Sequence, residues 1–420
     1  MTSDLHTRCC IAGGGPAGMM LGLLLARAGI DVIVLEKHGD FLRDFRGDTV
    51  HPSTLDLMQE LGLLQAFLQR PHNRAHDLHV TIGGRNMTII DFTHVPTHCK
   101  FIALMPQWEF LDFLRDHAET YPGFHLMQNA EVTGLLEQDG RVTGVQVHSA
   151  DGPLSVHADL VIGGDGRHST VRRAAELAVQ DIGAPIDVLW MRLPTARGDS
   201  PDTGAHIGAG HFFVTIHRGD YWQCAYVIAK GGIDDIRARG LDAFRRELAQ
   251  AAPMFAGRVE TLQSWDDIKL LSVTVDRLQQ WWKPGLLCIG DAAHAMSPIG
   301  GVGINLAIQD AVAAANILAA SLCNPAVDTM QLSPLLAQVQ KRRSFPVRIT
   351  QAVQVAIQNR LLLPTIARQG NAPIEVPFAL RMLQRWPLLR TLPARLFAVG
   401  ARPEHVHTPA VRGQGTRQQQ

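Results

Sequence analysis

The chain has 420 residues, of which 46% are hydrophobic, so it is long enough for two or three domains with a sizeable core. Its 39 Lys and Arg residues balance its 39 Asp and Glu residues, and without a basic run we expect no nucleic-acid partner. The six cysteines lack the spacing of a disulfide framework, which favours buried thiols in a reducing cytoplasm.

The first predicted elements are a strand, a tight turn and a helix within residues 9–30. The turn has the pattern G-x-G-x-x-G, which brings the main chain and a helix N-terminus close to a pyrophosphate. An acidic residue ends the next apolar run 23 residues after the first glycine, near the spacing of about 20 expected for a ribose-binding carboxylate. The pattern predicts a dinucleotide site made of Gly13, Gly15, Pro16, Ala17, Gly18 and Glu36.

Short runs with strand character follow in residues 76–106 and 180–280, and a helix is predicted from Trp108 to Thr120. The longer insertion is rich in aromatic side chains. Phe213, Trp222 and Tyr226 suit a planar apolar substrate, although Trp222 and Tyr226 are equally candidates for ordinary core packing. Asp48 and His51 are candidates for positioning a substrate hydroxyl or moving its proton.

Two further glycine-bearing motifs occur later in the chain. In the first, an apolar run leads into Asp165 and Gly166 and then into a short helix, an arrangement that an ordinary strand–helix connection with an Asx turn also explains. The second reads Gly-Asp-Ala-Ala-His over residues 290–294, and a glycine-rich helix start follows at 298–305. Such a helix start can direct main-chain N–H groups at a negatively charged ligand.

The three motifs, in this order, resemble those of the class A (single-component) FAD-dependent aromatic monooxygenases, the para-hydroxybenzoate hydroxylase-like family, over about residues 8–320. The resemblance places Lys37 beside the FAD ribose, and Arg46 and Gln107 against the flavin. It ties Asp165 to the handling of FAD and the nicotinamide cofactor. The remaining cofactor-binding residues that it implies are Gly290, Asp291, Pro298, Gly301, Val302, Gly303, Ile304 and Asn305.

This resemblance implies an enzyme that uses FAD, O2, and NADPH or NADH as a transient hydride donor. The expected reaction is hydroxylation of an electron-rich aromatic or polycyclic small molecule through a flavin C4a-hydroperoxide. No catalytic side chain is assigned, because an ionised substrate phenol can activate its own ring. No metal site is predicted, since neither His94, His98 and Cys99 nor the histidines at 72, 76 and 79 supply four ligands.

The expected fold class is α/β. Because the first and third motifs would bind one cofactor from distant parts of the sequence, the Rossmann-like FAD-binding domain must be discontinuous, with residues 1–75, 107–179 and 281–330. Residues 76–106 and 180–280 would form an inserted substrate domain with a mixed or antiparallel sheet. A C-terminal helical region over 331–412 and a disordered tail over 413–420 complete the prediction.

Alternative functions stay open at this point. One is a flavin-dependent reductase or dehydrogenase of a polyprenyl or lipid-like substrate, and another is a non-catalytic flavoprotein; a flavin halogenase is disfavoured by the place of Trp281 and Trp282. We expect a cytoplasmic protein without stable membrane insertion, although the apolar, arginine-bearing residues 388–397 could cover the active site or lie on a membrane. The oligomeric state is not predicted.

Overall fold

The computed structural model describes residues 3–42, 49–83, 85–199, 203–208, 210–324, 326, 329–367 and 378–411. The predicted site residues Arg46 and Asp48, and the predicted tail over 413–420, lie outside these ranges. The strands are β1 (Ser3–Ala12), β2 (Val32–Leu35), β3 (Thr49–Val50), β4 (Asn73–Ala75), β5 (Asp77–Ile82), β6 (Arg85–Asp91), β7 (Ile102–Leu104), β8 (Phe124–Met127), β9 (Glu131–Gln138), β10 (Arg141–Ser149), β11 (Gly152–Gly163), β12 (Val179–Asp181), β13 (Ile186–Pro194), β14 (Gly204–Gly208), β15 (His211–His217), β16 (Tyr221–Ala229), β17 (Lys269–Leu271), β18 (Asp276–Leu278), β19 (Trp282–Lys283) and β20 (Leu286–Cys288).

The helices alternate with these strands in the first part of the chain and dominate the last part. They are α1 (Pro16–Arg27), α2 (Pro52–Glu60), α3 (Leu64–Phe67), α4 (Gln107–Ala118), α5 (Thr170–Ala174), α6 (Ile233–Ala238), α7 (Leu241–Ala251), α8 (Gly303–Leu322), α9 (Ser333–Ile357), α10 (Leu363–Ile366), α11 (Phe378–Arg385) and α12 (Thr391–Ala398).

The first sheet has a parallel centre in the order β20-β11-β1-β2-β8, with β19 at one edge and the hairpin strands β9 and β10 attached to β11. The central runs 9–12, 32–35 and 160–162 are apolar and buried throughout. Strands covered on both faces require this composition. Helix α1 packs against α4 and α8. The α/β fold with a Rossmann-like unit is confirmed.

The second sheet has the order β17-β13-β16-β15-β14-β5-β6, and its pairs are antiparallel except for β14 with β5. One face packs on α6 and α7 to form a separate core. The opposite face turns toward the first sheet and borders the candidate site. A small sheet of β3, β7 and β4 lies beside it. The mixed sheet is present as predicted, whereas the exact division into domains stays a prediction.

The described residues of the C-terminal region are mainly helical from α9 to α12. Helix α9 begins at Ser333, continues through Pro346 and passes into a π-helical turn over Gln358–Leu362. After α12 the chain has no regular secondary structure as far as residue 411. This last segment returns to α1, where the Val411 N–H donates to the Arg27 carbonyl at 2.9 Å.

Helix α8 is the most apolar long helix in the described part of the chain. The segment Ile299–Leu322 has the length and hydropathy needed to cross a membrane, and 83% of its apolar window is buried inside the protein. A core helix of a globular protein has the same properties. Five of the cysteines are buried as expected, but Cys323 at the end of α8 is exposed.

Candidate active site

A cavity of about 630 Å³ lies between the carboxyl ends of the first-sheet strands and the free face of the second sheet. In open α/β sheets ligands bind in this crevice. The structure brings together there most of the residues that the sequence motifs predict. The predicted cofactor residues that line the cavity are Gly13, Gly15, Pro16, Ala17, Glu36, Lys37, Gln107, Asp165, Asp291, Pro298, Gly301, Gly303 and Ile304.

The three glycines of the first turn have different roles. Gly13 has a φ of +105° and packs against Gly164, whose carbonyl oxygen would lie 2.5 Å from an added Cβ. Gly18 packs against the Gly13 carbonyl and Ile11, so it serves helix–strand contact rather than the ligand. An added Cβ on Gly15 would meet nothing within 4 Å. This open space at the N-terminus of α1 fits a pyrophosphate.

Glu36 lies beside the glycine turn in the cavity wall. Its carboxylate accepts hydrogen bonds from the Gly14 N–H at 3.0 Å and the His38 N–H at 3.1 Å. These bonds hold the carboxylate at the end of β2, beside Lys37 and within the cavity wall. A carboxylate there is suited to bind a ribose hydroxyl.

The central motif is fixed by its own hydrogen bonds. Asp165 Oδ2 accepts from the Val171 N–H at 3.1 Å, and Ser169 Oγ caps α5 by accepting from the Arg172 N–H at 2.9 Å. The other oxygen, Asp165 Oδ1, is buried without a hydrogen-bond partner among the described residues. Burial raises the pKa of this carboxyl above its ordinary value. A carboxylate oxygen left without a partner at a cavity wall is suited to a ligand hydroxyl or amide.

A buried ionic network supports the third motif from behind. The Asp310 carboxylate accepts from the Gly290 N–H at 3.0 Å, from Arg343 Nε at 2.8 Å, and lies 2.6 Å from His294 Nε2. Burial would raise the pKa of Asp310, but His294 and Arg343 outweigh it and hold the pKa below its ordinary value. Gly290 is therefore a backbone anchor outside the cavity wall. Asp291 faces the cavity, with its carboxylate 3.6 Å from Arg167.

Two predicted cofactor residues of the next loop are not in the cavity wall. Asn305 Oδ1 accepts from the His51 N–H at 2.9 Å and from Thr54 Oγ at 2.7 Å, so its side chain joins α8 to the start of α2. Val302 is buried in the core. Their side chains therefore do not face the cavity, and a contact of their main chain with the flavin stays a prediction. Thr49, which the sequence did not mark, lines the cavity and donates to the Gly301 carbonyl at 2.7 Å.

The structure does not place His51 where it could position a substrate hydroxyl, because His51 is buried and does not line the cavity. Its Nδ1 lies 2.7 Å from the carbonyl oxygen of Phe397 on α12. Burial lowers the pKa of His51 from 6.5 to about 4. The main-chain carbonyls of Phe397 and Gly300 favour the charged ring and offset only part of this effect. The ring is neutral near neutral pH and joins α12 to the site rather than binding a substrate.

The predicted aromatic substrate residues lie on the wrong face of the second sheet. Phe213, Trp222 and Tyr226 point into the core formed with α6 and α7. Because side chains alternate along a strand, their neighbours face the cavity. The cavity-lining residues of β13, β15 and β16 are Ile186, Val188, Trp190, Phe212, Val214, Ile216, Ala225 and Val227. For Trp222 and Tyr226, core packing was the alternative that the sequence left open.

Fold and cavity together define a flavin-dependent oxidoreductase, since the open space at Gly15 and the unpartnered oxygen of Asp165 fit a flavin dinucleotide. Sequence comparison agrees: residues 6–352 match the family described as "FAD binding domain", and the chain belongs to that family. A 6-methylpretetramide 4-monooxygenase from Streptomyces rimosus is 33% identical over 394 residues, which cover 93% of this chain and 92% of the relative. A flavin-dependent monooxygenase from Mycobacteroides abscessus is 28% identical over 72% of this chain and 65% of its own length.

Solved structures agree on the fold. The p-nitrophenol 4-monooxygenase from Pseudomonas putida superposes with a TM-score of 0.75 over 96% of this chain and 100% of its own, at 19% identity. The protein is thus an FAD-dependent monooxygenase with NAD(P)H as reductant and O2 as co-substrate. The bound flavin supplies the acceptor for the hydride and the centre at which O2 is activated.

Proposed function

We propose that the protein hydroxylates an uncharged, fused-ring aromatic molecule that carries a phenolic hydroxyl. The observation that carries this proposal is the apolar face of the second sheet. The three strands β13, β15 and β16 present aliphatic and aromatic side chains to the cavity at every second position. A flat apolar wall favours a planar ring system through area burial and ring contacts.

The relatives support the same substrate class. The Streptomyces rimosus relative is named for 6-methylpretetramide, and its similarity extends over nearly all of both chains, including the second sheet. A cavity of about 630 Å³ is within the range of about 300–1,000 Å³ that is usual for small-molecule sites. The substrate and FAD would share this space, with the substrate against the second sheet.

In the proposed arrangement Gly15, Glu36 and Lys37 bind the ADP part of FAD, and Asp291 binds its ribityl chain. Asp165 contacts the dinucleotide through its unpartnered oxygen. The loop over residues 298–304 lies against the flavin ring. That Gly15, Glu36, Lys37, Asp165, Asp291 and most of this loop line one cavity supports the arrangement.

The reaction adds one oxygen atom of O2 to the ring carbon. The other oxygen leaves as water, and the two electrons come from NAD(P)H. The apolar sheet face excludes water and orients the ring, while the phenol of the substrate supplies the electron density that the attack requires. No side-chain base is assigned. We place the protein in the cytoplasm, where NAD(P)H is available.

The experiment is anaerobic mixing of the purified FAD-loaded protein with NADH or NADPH in the presence of candidate phenols. Flavin reduction is followed by the loss of absorbance at about 450 nm. We expect 6-methylpretetramide or another fused-ring phenol to accelerate bleaching, and admission of air to give a product heavier by one oxygen atom. Para-hydroxybenzoate, with one ring and a carboxylate, is the matched negative compound. A preference for that compound would refute the proposal.

A further inference from the structure

Three glutamines form a row along one side of the C-terminal helix. Gln351 and Gln354 lie on α9, and Gln358 begins the π-helical turn. All three are at most 1% exposed. Their spacing of three and four residues puts them on one helix face. We call Gln351, Gln354 and Gln358 the glutamine row.

Each member of the row donates at least one hydrogen bond to residues 295–299, which lead into the loop proposed to lie against the flavin ring. Gln351 Nε2 donates to the carbonyl oxygens of Asp276 at 2.8 Å and Ala295 at 3.1 Å. Gln354 Nε2 donates to the carbonyl oxygens of Ser297 and Ile299, both at 2.9 Å. Gln358 Nε2 donates to Ser297 Oγ at 2.8 Å.

The receiving segment, residues 295–301, has no regular secondary structure before a 3₁₀ turn over Ile299–Gly301, and residues 296–301 line the cavity. The Ala295 carbonyl also accepts from the Asp276 N–H of β18 at 3.3 Å, whereas the carbonyls of Ser297 and Ile299 both accept from Gln354. Buried main-chain carbonyls need partners, and here α9 supplies them from outside the segment. The row therefore donates to three alternate carbonyls from one side of the C-terminal helix, and two of them, those of Ser297 and Ile299, belong to residues of the cavity wall.

We propose that the glutamine row is a positioning device for FAD, with Gln354 as its central member. Gln354 does not line the cavity, so it acts through the Ser297 and Ile299 carbonyls that it holds. Holding these carbonyls fixes the path of residues 297–301 and thereby the start of α8. The row thus sets how tightly the flavin is bound, its reduction potential and how much of the consumed NAD(P)H yields product.

The test compares Gln354→Met with Gln338→Met in the full-length protein. Methionine nearly matches the length of glutamine but donates no hydrogen bond. Gln338 lies on the same helix and is exposed, so it controls for the substitution itself. We expect the FAD dissociation constant of the Gln354→Met variant to rise about tenfold, equal to about 1.4 kcal/mol. We also expect a shifted midpoint potential and at least a doubling of H2O2 release per NAD(P)H.

Thermal unfolding of both apoproteins separates positioning from general instability. A Gln354→Met protein whose FAD affinity, potential and coupling equal those of Gln338→Met would overturn the proposal. FAD affinity and potential are measured without substrate, so their outcome is independent of the proposed substrate class.

A second set of variants covers the case in which Gln354→Met does not fold. Gln358 Nε2 donates to Ser297 Oγ, which also accepts from the Ile299 N–H at 3.4 Å, so a double-mutant cycle of Gln358→Met and Ser297→Ala is needed to isolate the coupling between the two side chains. Removing both partners of a buried hydrogen bond costs less than the two single changes together. We expect the effects on FAD affinity to be non-additive. Strictly additive effects, or no effect of Gln358→Met, would overturn the role of the row.

Discussion

Acid should destabilise the protein through His51, at a pH where most carboxylates are still ionised. The folded protein holds the pKa of His51 at about 4, whereas the ordinary value is 6.5. The unfolded chain therefore takes up a proton near its ordinary pKa while the folded protein does not, and acid favours unfolding. With these two pKa values, lowering the pH from about 7.5 to about 5.5 removes about 1.4 kcal/mol of stability.

The assay is urea unfolding of the wild type and of His51→Asn at both pH values. The asparagine amide replaces the Nδ1 donor toward the Phe397 carbonyl without titrating. We expect the variant to lose about 1.4 kcal/mol less than the wild type over this pH interval. His125→Asn, at an exposed position, should behave like the wild type. Equal acid losses in His51→Asn and the wild type would refute the reasoning.

Three further changes test the site. Gly15→Val should weaken FAD binding about a hundredfold and leave the unfolding temperature of the apoprotein unchanged. Gly18→Val should lower the unfolding temperature of the apoprotein itself. Flavin fluorescence titration measures the FAD affinity, and calorimetry measures the unfolding temperature. Ala225→Phe should raise KM for a fused-ring substrate about tenfold without changing FAD affinity, and Tyr226→Phe, on the other sheet face, should leave KM unchanged. Asp310→Asn removes the carboxylate shared by the buried His294 and Arg343 and leaves Arg343 with the carboxylate of Glu404 alone, so urea unfolding should show a loss of about 3 kcal/mol.

Most of the predicted cofactor-binding residues line the cavity, because local patterns in the sequence determine their positions. Gly15 and Glu36 occupy positions that a turn and a strand end determine within one short unit. The same patterns did not separate residues that face the ligand from those that anchor the loops. Gly290 and Asn305 belong to the motif, but their hydrogen bonds go to other parts of the protein. That distinction depends on partners far away in the sequence.

The substrate half could be predicted as a sheet but not residue by residue. Aromatic content drew attention to Phe213 and Tyr226, which form a cross-strand pair on the face away from the cavity. Their neighbours Phe212 and Ala225 face the cavity. A shift of one residue exchanges the two faces of a strand, and both faces of this sheet are covered by apolar groups. Hydrophobic alternation therefore carries little information about which face binds the substrate.

The motifs carry the ligand-facing groups, and other residues determine how the motifs are placed relative to one another. Arg172 of the central motif lies 3.4 Å from the Ala292 carbonyl of the third motif, and Asp310 binds the Gly290 N–H. Gln354 then holds the loop that follows. These partners lie on different helices, so a change in the C-terminal helix can alter the flavin site without touching any motif. Substrate choice should vary separately, because the second-sheet residues that face the cavity, such as Val188 and Ala225, make none of these hydrogen bonds through their side chains.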